Sequence, residues 1–422
     1  MHSTTGLVLA ACCLIASIAR AAAAQGTPPT TPTSITRTEA VAAALARGAR
    51  LGVARADTSL AYAGLLVARA RPNPALVAGY SKSAPQYHVE AELPLDLPGL
   101  RAARIRAAQV GRDAAQYRFA FARAAVALGA DTTYTLALAA RERLRLSRRN
   151  AQDADSLRVI AEKRRDAGDA SDLDVELATV NAGQQANAAA ADSLAYVSAV
   201  LDLQSALGLA ADEATLAPAD SLAAPPDEPA PAGASLGIGP DVPAGPTLQI
   251  AAARASVESA RLGALAERRS VWAGPAITAG FETRDPKGDE PGVLPTVGVT
   301  IPLPLLNRNR GPIAQADAEH ERARAELALA EVENRTEIAR ERRELAVALE
   351  KVRRDRQLLD AAERIAAKSL VAYREGAAAL PGALEAQRNA RDVLAQYVAD
   401  LSDAWIAASI LRALTLTPDA SR

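Results

Sequence analysis

Apolar and polar residues alternate at two places in each half of the chain, and this period of two predicts β-strands. In the first half the alternation covers residues 87–93, and a shorter run lies at 75–81. In the second half it covers 277–282 and 296–301. Each pair of segments therefore predicts a β-hairpin with one apolar face and one polar face.

Helical periodicity follows the second strand of each hairpin. It continues without a convincing break over 100–167 in the first half and over 312–375 in the second. More than sixty residues at 1.5 Å per residue give a helix of roughly 100 Å, which is too long for the inside of a compact globule. A second, shorter helix is predicted after each long one, over 171–207 and 384–414.

In the second long helix, apolar residues recur at the three-, four- and seven-residue spacings of a coiled-coil seam. These residues are Ile338, Leu345, Leu349, Val352 and Leu359. Charged residues flank the seam on both sides, and we interpret them as a solvated face.

The two halves are copies of one unit. Pro94 recurs as Pro302 and Gly168 recurs as Gly376, and both pairs are separated by 208 residues. About seventy intervening residues therefore kept their register, and the two glycines are predicted to mark the tips of matching helical hairpins.

The duplication predicts one architecture built from two repeats. The first repeat covers residues 36–208 and the second covers 247–416. Between them, 209–246 is rich in proline and alanine and has little periodicity, so it is predicted to be a connector and not a domain.

The N-terminus is typical of an export signal. An apolar run is followed by small residues, which predicts a signal peptide over 1–24 and a mature chain that begins at Gln25. The segment around Cys12 also resembles a lipoprotein box, although the apolar run continues beyond it. Cys12 and Cys13 are the two cysteines of the chain, so cleavage before Gln25 leaves no disulfide and no thiol metal site.

Composition favours long, closely packed helices, because 49% of the residues are hydrophobic while only 3% are aromatic. The net charge of −1 provides no global basic field for nucleic acid. Beyond the leader, no apolar stretch is long enough for a transmembrane helix, so any membrane crossing must use strands. Four strands cannot close a barrel alone, and several copies would have to share one. The alternative is two hairpins in a soluble sheet.

Catalytic and metal-site interpretations have little support. Beyond the leader, the histidines are His88 and His320, which lie far apart in sequence and on different element types. The glycine-rich fragment 233–239 lacks the lysine and hydroxyl residue of a phosphate loop. The sequence therefore predicts no catalytic residue, no metal site and no cofactor, and a protein that is not an enzyme.

Several segments together resemble the TolC-type outer-membrane efflux proteins, and especially their heavy-metal efflux branch. One is the passage from the last strand into the second long helix, where residues 297–311 read VGVTIPLPLLNRNRG. The others lie at the helical turns, over 372–376 and 385–388 in the second copy and over 163–175 in the first. The resemblance spans nearly the whole chain after the leader.

The resemblance implies a mainly α fold with a transmembrane β-barrel contribution. Three chains would each give four strands to one outer-membrane barrel, and their helices would form a tunnel across the periplasm. The implied function is a passive conduit that exports small solutes, either metal cations or drugs, with a periplasmic adaptor and an inner-membrane pump as partners. The rival classes are a soluble periplasmic helical scaffold and an adaptor protein, which would have a single helical hairpin.

The family also suggests an acidic ring that narrows the tunnel near the helical tips. Asp174 stands six residues after Gly168, whereas the second copy has Gly382 at the matching place and an acidic Glu385 nine residues after Gly376. Asp174 and Glu385 are therefore candidates for this constriction. The alternative for Asp174 is a surface carboxylate beside a helix start, where it favours the helix dipole.

Small residues at the tips are candidates for adaptor docking, because they allow another helical tip to approach closely. These residues are Gly168, Ala170, Gly376, Ala377 and Ala378. The alternative is that they are ordinary turn residues.

Overall fold

The computed structural model describes residues 32–83, 85–209, 212–225, 245–272, 274–283 and 292–418. The predicted leader, with Cys12, and most of the connector lie outside these residues. The strands are β1 Thr33–Ile35, β2 Ala75–Tyr80, β3 Tyr87–Pro94, β4 Leu216–Pro218, β5 Ala276–Thr283 and β6 Val293–Thr300. The helices are α1 Arg37–Arg47, α2 Ala49–Arg69, α3 Pro98–Asp166, α4 Asp172–Ala206, α5 Leu248–Arg269, α6 Arg310–Arg374 and α7 Leu380–Thr415.

Both predicted hairpins are confirmed, and they join into one antiparallel sheet with the order β2-β3-β5-β6. The register aligns Val89 with Phe281 and Ile277 with Val299, so the apolar positions of all four strands share one face. Gly280 belongs to the opposite face, where a Cβ would lie 2.4 Å from the Val89 carbonyl oxygen. The sheet thus unites strands from both repeats and keeps the predicted separation of faces.

The long helices are confirmed and begin slightly earlier than predicted. Helix α3 has 69 residues and begins at Pro98, whereas α6 has 65 residues and begins at Arg310. Asn309 precedes α6 with a positive φ of 56°, which is a left-handed conformation that asparagine tolerates. At 1.5 Å per residue both helices are roughly 100 Å long. Among the described residues, no helix is apolar over a length that could cross a bilayer.

The predicted coiled-coil seam of α6 is confirmed by its packing on α7. Leu345 is buried in an apolar cluster with Ala408 and Leu411. Val352 is buried in the next cluster along the helices, together with Leu401. Each half of the chain therefore forms a long antiparallel helical hairpin, α3 with α4 and α6 with α7.

Helices α1, α2 and α5 and the parallel pair β1-β4 were not predicted. A signal for α1 was present, because Thr36 and Glu39 have the spacing of a capping box and form one. Helix α5 packs between α3 and α6, and its consecutive residues Ile250, Ala251 and Ala252 are all buried. Its exposed side is charged, so the sequence contained an amphipathic signal for α5 as well.

A buried polar cluster ties the N-terminal segment and the two repeats together. Asp131 of α3 is 4% exposed and accepts hydrogen bonds from Arg37 Nη1 and Ser409 Oγ. Arg37 also donates to Thr135 Oγ1 at 3.0 Å, and its guanidinium lies 4.0 Å from the centre of the Trp405 ring. One carboxylate thus connects α1 and α3 with α7.

Candidate functional site

The tips of the two helical hairpins have the same backbone construction. Gly168 and Gly376 have φ angles of +87° and +77°, which favour glycine. In the first tip, the Asp169 N–H donates to the Arg164 carbonyl at 2.7 Å, and in the second the Ala377 N–H donates to the Ala372 carbonyl at 2.8 Å. Each glycine N–H also donates to the carbonyl three residues before it, at 2.8 and 3.1 Å, and the two bonds together form the Schellman motif that closes a helix C-terminus.

The helices that leave the two tips begin differently. Ser171 caps α4, and its Oγ and N–H both donate to Asp174 Oδ2, at 3.0 and 3.1 Å. Helix α7 follows Ala379, which has no side-chain cap, and it carries Pro381 in its first turn. A proline suits this position because its missing N–H has no partner within the helix.

The two tips are in contact, and Arg164 carries the polar part of that contact. Its Nη1 donates to the Tyr373 carbonyl at 2.5 Å, and its guanidinium lies 4.9 Å from the centre of the Tyr373 ring. Leu157 of α3 and Leu380 of α7 are buried in the same apolar cluster as Tyr373. Sequence reasoning missed this pair, because Arg164 and Tyr373 lie 209 residues apart.

Burial raises the pKa of the Tyr373 phenol. The Arg164 charge lowers this pKa and the Asp174 charge raises it, but burial dominates. The Tyr373 hydroxyl oxygen is buried and has no hydrogen-bond partner in the described part of the chain. Tyr373 is therefore a neutral packing residue beneath the tips, and Asp174 is close enough to act on it electrostatically.

The two candidate constriction carboxylates have different surroundings. Asp174 is partly buried and is held by the capping box, which matches its alternative interpretation as a helix-start residue. Glu385 is exposed on α7, and its Oε2 lies 3.8 Å from Arg388 Nη1. Both lie within two turns of a tip, where carboxylates from several chains could meet around an axis.

The candidate docking residues lie at the end of the paired hairpins. Gly168, Gly376 and Ala377 are exposed, whereas Ala170 and Ala378 are half-buried. A Cβ on Gly168 would meet no atom within 4 Å, so the tip is open above this residue. The surface at the tips consists of small, accessible residues, which another helical tip could approach closely.

The polar face of the sheet is acidic. Glu90 and Glu92 of β3 lie on this face together with their cross-strand partners Gly280 and Thr278. Glu282 of β5 lies two residues after Gly280 and is therefore on the same face. His88 Nδ1 lies 3.2 Å from Glu282 Oε1. The rest of the face carries small and hydroxyl residues such as Gly280 and Thr278, together with Val77 and Leu294. The described residues contain no group of three or more potential metal ligands.

Two buried carboxyl groups face each other between α6 and α7. Asp400 is 3% exposed, and it accepts a hydrogen bond from Gln396 at 3.0 Å and lies 3.5 Å from Lys351 Nζ. Burial and the Asp400 carboxylate raise the pKa of Asp355 to about 6, against a smaller lowering effect of Arg354 and Lys351. The pKa of Asp400 is lowered, because its hydrogen bonds outweigh its burial.

This pair predicts a pH dependence of stability. The pKa of Asp355 is higher in the folded protein than its ordinary 3.8, so the folded state holds this proton more tightly. The stabilisation is complete below pH 4 and is lost as the pH rises to about 6. We expect D355N to be more stable than wild type by up to about 3 kcal/mol at pH 7.5 and equal to it near pH 4. Denaturant midpoints at several pH values measure this difference, and a pH-independent difference would contradict it.

Comparison with known proteins identifies the relatives of this chain. The sequence model of the family described as outer membrane efflux protein matches residues 40–209. The cobalt-zinc-cadmium resistance protein CzcC of Cupriavidus metallidurans strain CH34 is 30% identical over 283 residues, which are 64% of this chain. The aligned part spans 63% of the length of CzcC.

Solved structures share the fold over most of the chain. The CmeC outer membrane channel of Campylobacter jejuni has a TM-score of 0.72 at 16% identity, covering 93% of this chain and 90% of CmeC. The outer membrane protein VceC of Vibrio cholerae has a TM-score of 0.71 at 17% identity, covering 90% of this chain and 96% of VceC. The fold is therefore that of the outer-membrane channels. The family match over 40–209 and the shared fold agree with the predicted resemblance to TolC-type outer-membrane efflux proteins.

Proposed function

We propose that this protein is the outer-membrane channel of a tripartite efflux system, a passive conduit that exports small solutes across the periplasm and the outer membrane. The observation that carries the proposal is the four-stranded sheet, which is mostly apolar on one face and continues into two helical hairpins whose first helices are each roughly 100 Å long. The match of residues 40–209 to the outer membrane efflux protein family supports a conduit and not a catalyst.

The sheet geometry supports a homotrimer. Within the described residues, β2 and β6 each pair on one side only. Unpaired strand edges cannot face hydrocarbon, because each unsatisfied backbone group there costs several kcal/mol. Three copies supply twelve strands and close the edges, with the apolar faces outward and the acidic faces inward. This arrangement locates the protein in the outer membrane with its helices in the periplasm.

We assign the two repeats to residues 36–208 and 247–416. Each of these ranges contains two strands of the four-stranded sheet and one long hairpin, which supports the assignment. The periplasmic adaptor docks on the open tips, at Gly168, Gly376 and their alanine neighbours, and the inner-membrane pump drives transport through it. The rival adaptor class has one hairpin where this chain has two, and a soluble scaffold would have no use for an exposed apolar sheet face.

The substrate class includes metal cations as well as drugs. The name of CzcC assigns cobalt, zinc and cadmium resistance to that relative, which supports metal cations here. Glu90, Glu92 and Glu282 also favour cations, because their face of the sheet becomes the lumen wall in the proposed trimer.

The constriction proposal makes a prediction about ion selectivity. If Asp174 and Glu385 narrow the conduit near the tips, D174N/E385Q is expected to lower the cation-to-anion permeability ratio at least about twofold, because it removes two carboxylates per chain. Planar-bilayer recordings of the purified protein measure this ratio. The matched control is D155N, which changes an exposed carboxylate farther down α3. A variant that loses stability through its helix cap but keeps wild-type selectivity would contradict the proposed role.

Fractionation and complementation test the proposed function. The wild-type protein is expected in the outer-membrane fraction, and its gene is expected to restore tolerance to metal cations or drugs in a strain that lacks it, by at least about fourfold in the inhibitory concentration. A protein found only in soluble fractions, or tolerance that does not change for either class of compound, would contradict the proposal.

A further inference from the structure

A cavity of about 670 Å³ lies where the sheet meets the first repeat's long helix. Its walls come from the end of β3, the first turns of α3 and the segment after α2. Arg71, Arg101 and Arg106 line it together with Leu93 and Leu95. The cavity therefore combines guanidinium groups with an apolar wall.

The cavity opens on the apolar side of the sheet. Leu93 pairs with Ile277, and both belong to the face that is apolar across all four strands. Leu95 lies two residues after Leu93, just beyond the strand, and the alternation places it on the same face. Its N–H donates to the Pro275 carbonyl at 2.7 Å. Leu93 is 49% exposed. The arginines thus stand at the rim of the surface that the proposed function places in lipid.

Two of the arginines are free to bind an anion. Asp96 pairs with Arg104 at 2.9 Å and lies 3.4 Å from Arg101 Nε. The side chains of Arg71 and Arg106 are exposed and form no ion pair within the described residues. The charge of Glu258 also acts on Arg106. Two carboxylates, Asp96 and Glu258, thus act on four arginines in this region, which leaves an excess of positive charge.

An aromatic residue marks the same level of the molecule. Trp272 is 59% exposed and lies four residues before the start of β5 at Ala276. Ala276 pairs with Pro94, the last residue of β3. Exposed tryptophans concentrate where hydrocarbon gives way to headgroups, because their rings are amphipathic. Trp272 and the arginine-lined cavity therefore lie at the same predicted boundary.

We propose that this cavity binds the phosphate headgroup of an anionic phospholipid in the periplasmic leaflet of the outer membrane, with Arg71 and Arg106 as the phosphate ligands. The proposal rests on the proposed function, since it requires the apolar face to lie in lipid. Arginine binds phosphate oxygens with its planar, forked guanidinium. Leu93 and Leu95 would contact the acyl chains, and Asp96 would hold Arg101 and Arg104 in place as the base of the site.

Native mass spectrometry of the detergent-extracted protein tests the site. The probes are dioleoylphosphatidylglycerol and dioleoylglycerol, which share acyl chains but differ in the phosphate. Wild type is expected to bind the phosphatidylglycerol at least about tenfold more tightly than the diacylglycerol. R71Q/R106Q is expected to lose at least about fivefold in affinity for phosphatidylglycerol. The control R356Q/R364Q removes the same charge from exposed positions far along α6 and is expected to stay within twofold of wild type.

Three results would overturn the proposal. The first is equal binding of the two lipids by wild type, and the second is unchanged lipid binding by R71Q/R106Q. The third is that R71Q/R106Q no longer forms a trimer but binds lipid as before, which would mean that a second copy fills the cavity. Failure of the proposed function is distinguishable, because the wild-type protein would then be missing from the outer-membrane fraction. A protein that is present there but does not discriminate the two lipids contradicts the phospholipid site alone.

Discussion

Replacing Val297 by arginine is expected to reduce the amount of assembled channel in the outer membrane by roughly 1.5 to 3 orders of magnitude. Val297 lies near the middle of β6 on the apolar face and is 82% exposed. An arginine on the lipid side of a strand costs about 2–4 kcal/mol at the bilayer midplane, and each 1.4 kcal/mol changes an equilibrium tenfold. Quantitative blotting of outer-membrane fractions measures the loss.

Val77 offers a matched control for this substitution. It is also a strand valine, 56% exposed, but it pairs with Glu90 on the polar face of the sheet. V77R places the new charge near a carboxylate in the proposed lumen, so we expect assembly within about twofold of wild type. Equal losses in V297R and V77R would contradict the assignment of one face to lipid and the other to the lumen.

Replacing Asp131 by asparagine is expected to destabilise the protein by about 3 kcal/mol. The substitution removes the charge partner of Arg37, and breaking a buried ion pair costs about 3–5 kcal/mol because one charge stays behind unpaired. The lower end applies since the Arg37 side chain is 19% exposed. Arg412 also loses a nearby negative charge, although burial already lowers its pKa. Denaturant midpoints of the detergent-extracted protein measure the change.

The control for D131N is D155N on the same helix. Asp155 lies 2.9 Å from Arg158 Nη2, and its side chain is 63% exposed. Exposed ion pairs contribute about 0–1 kcal/mol, so D155N is expected to stay within about 0.5 kcal/mol of wild type. If D131N were as stable as D155N, the polar cluster around Asp131 would contribute nothing measurable to the free energy of unfolding.

The repeated unit could be predicted from the sequence because its landmarks are backbone requirements. A helix that ends in a Schellman motif needs a positive φ, and Gly168 and Gly376 supply it at equivalent positions. The strands were predictable because one face contacts a different environment from the other, which imposes the period of two. The seam through Leu345 and Val352 was predictable for the same reason, since α7 covers one side of α6.

Helices α2 and α5 were missed although both have charged residues on an exposed side. Both are rich in alanine, which separates an apolar face from a polar one only weakly. The contact between Arg164 and Tyr373 was missed for a different reason. It joins two tips that meet only after both hairpins have folded, and no local pattern encodes such a long-range pair. Asp174 was placed correctly beside a helix start, and its capping role does not test the proposed constriction.

The subunit stoichiometry of the detergent-extracted protein tests the central claim most directly. The sheet of one chain has two edges, so the protein should be stable in lipid or detergent only when neighbouring copies cover them. Native mass spectrometry is expected to give the mass of three copies. A single copy that stays soluble in water without detergent would contradict the account.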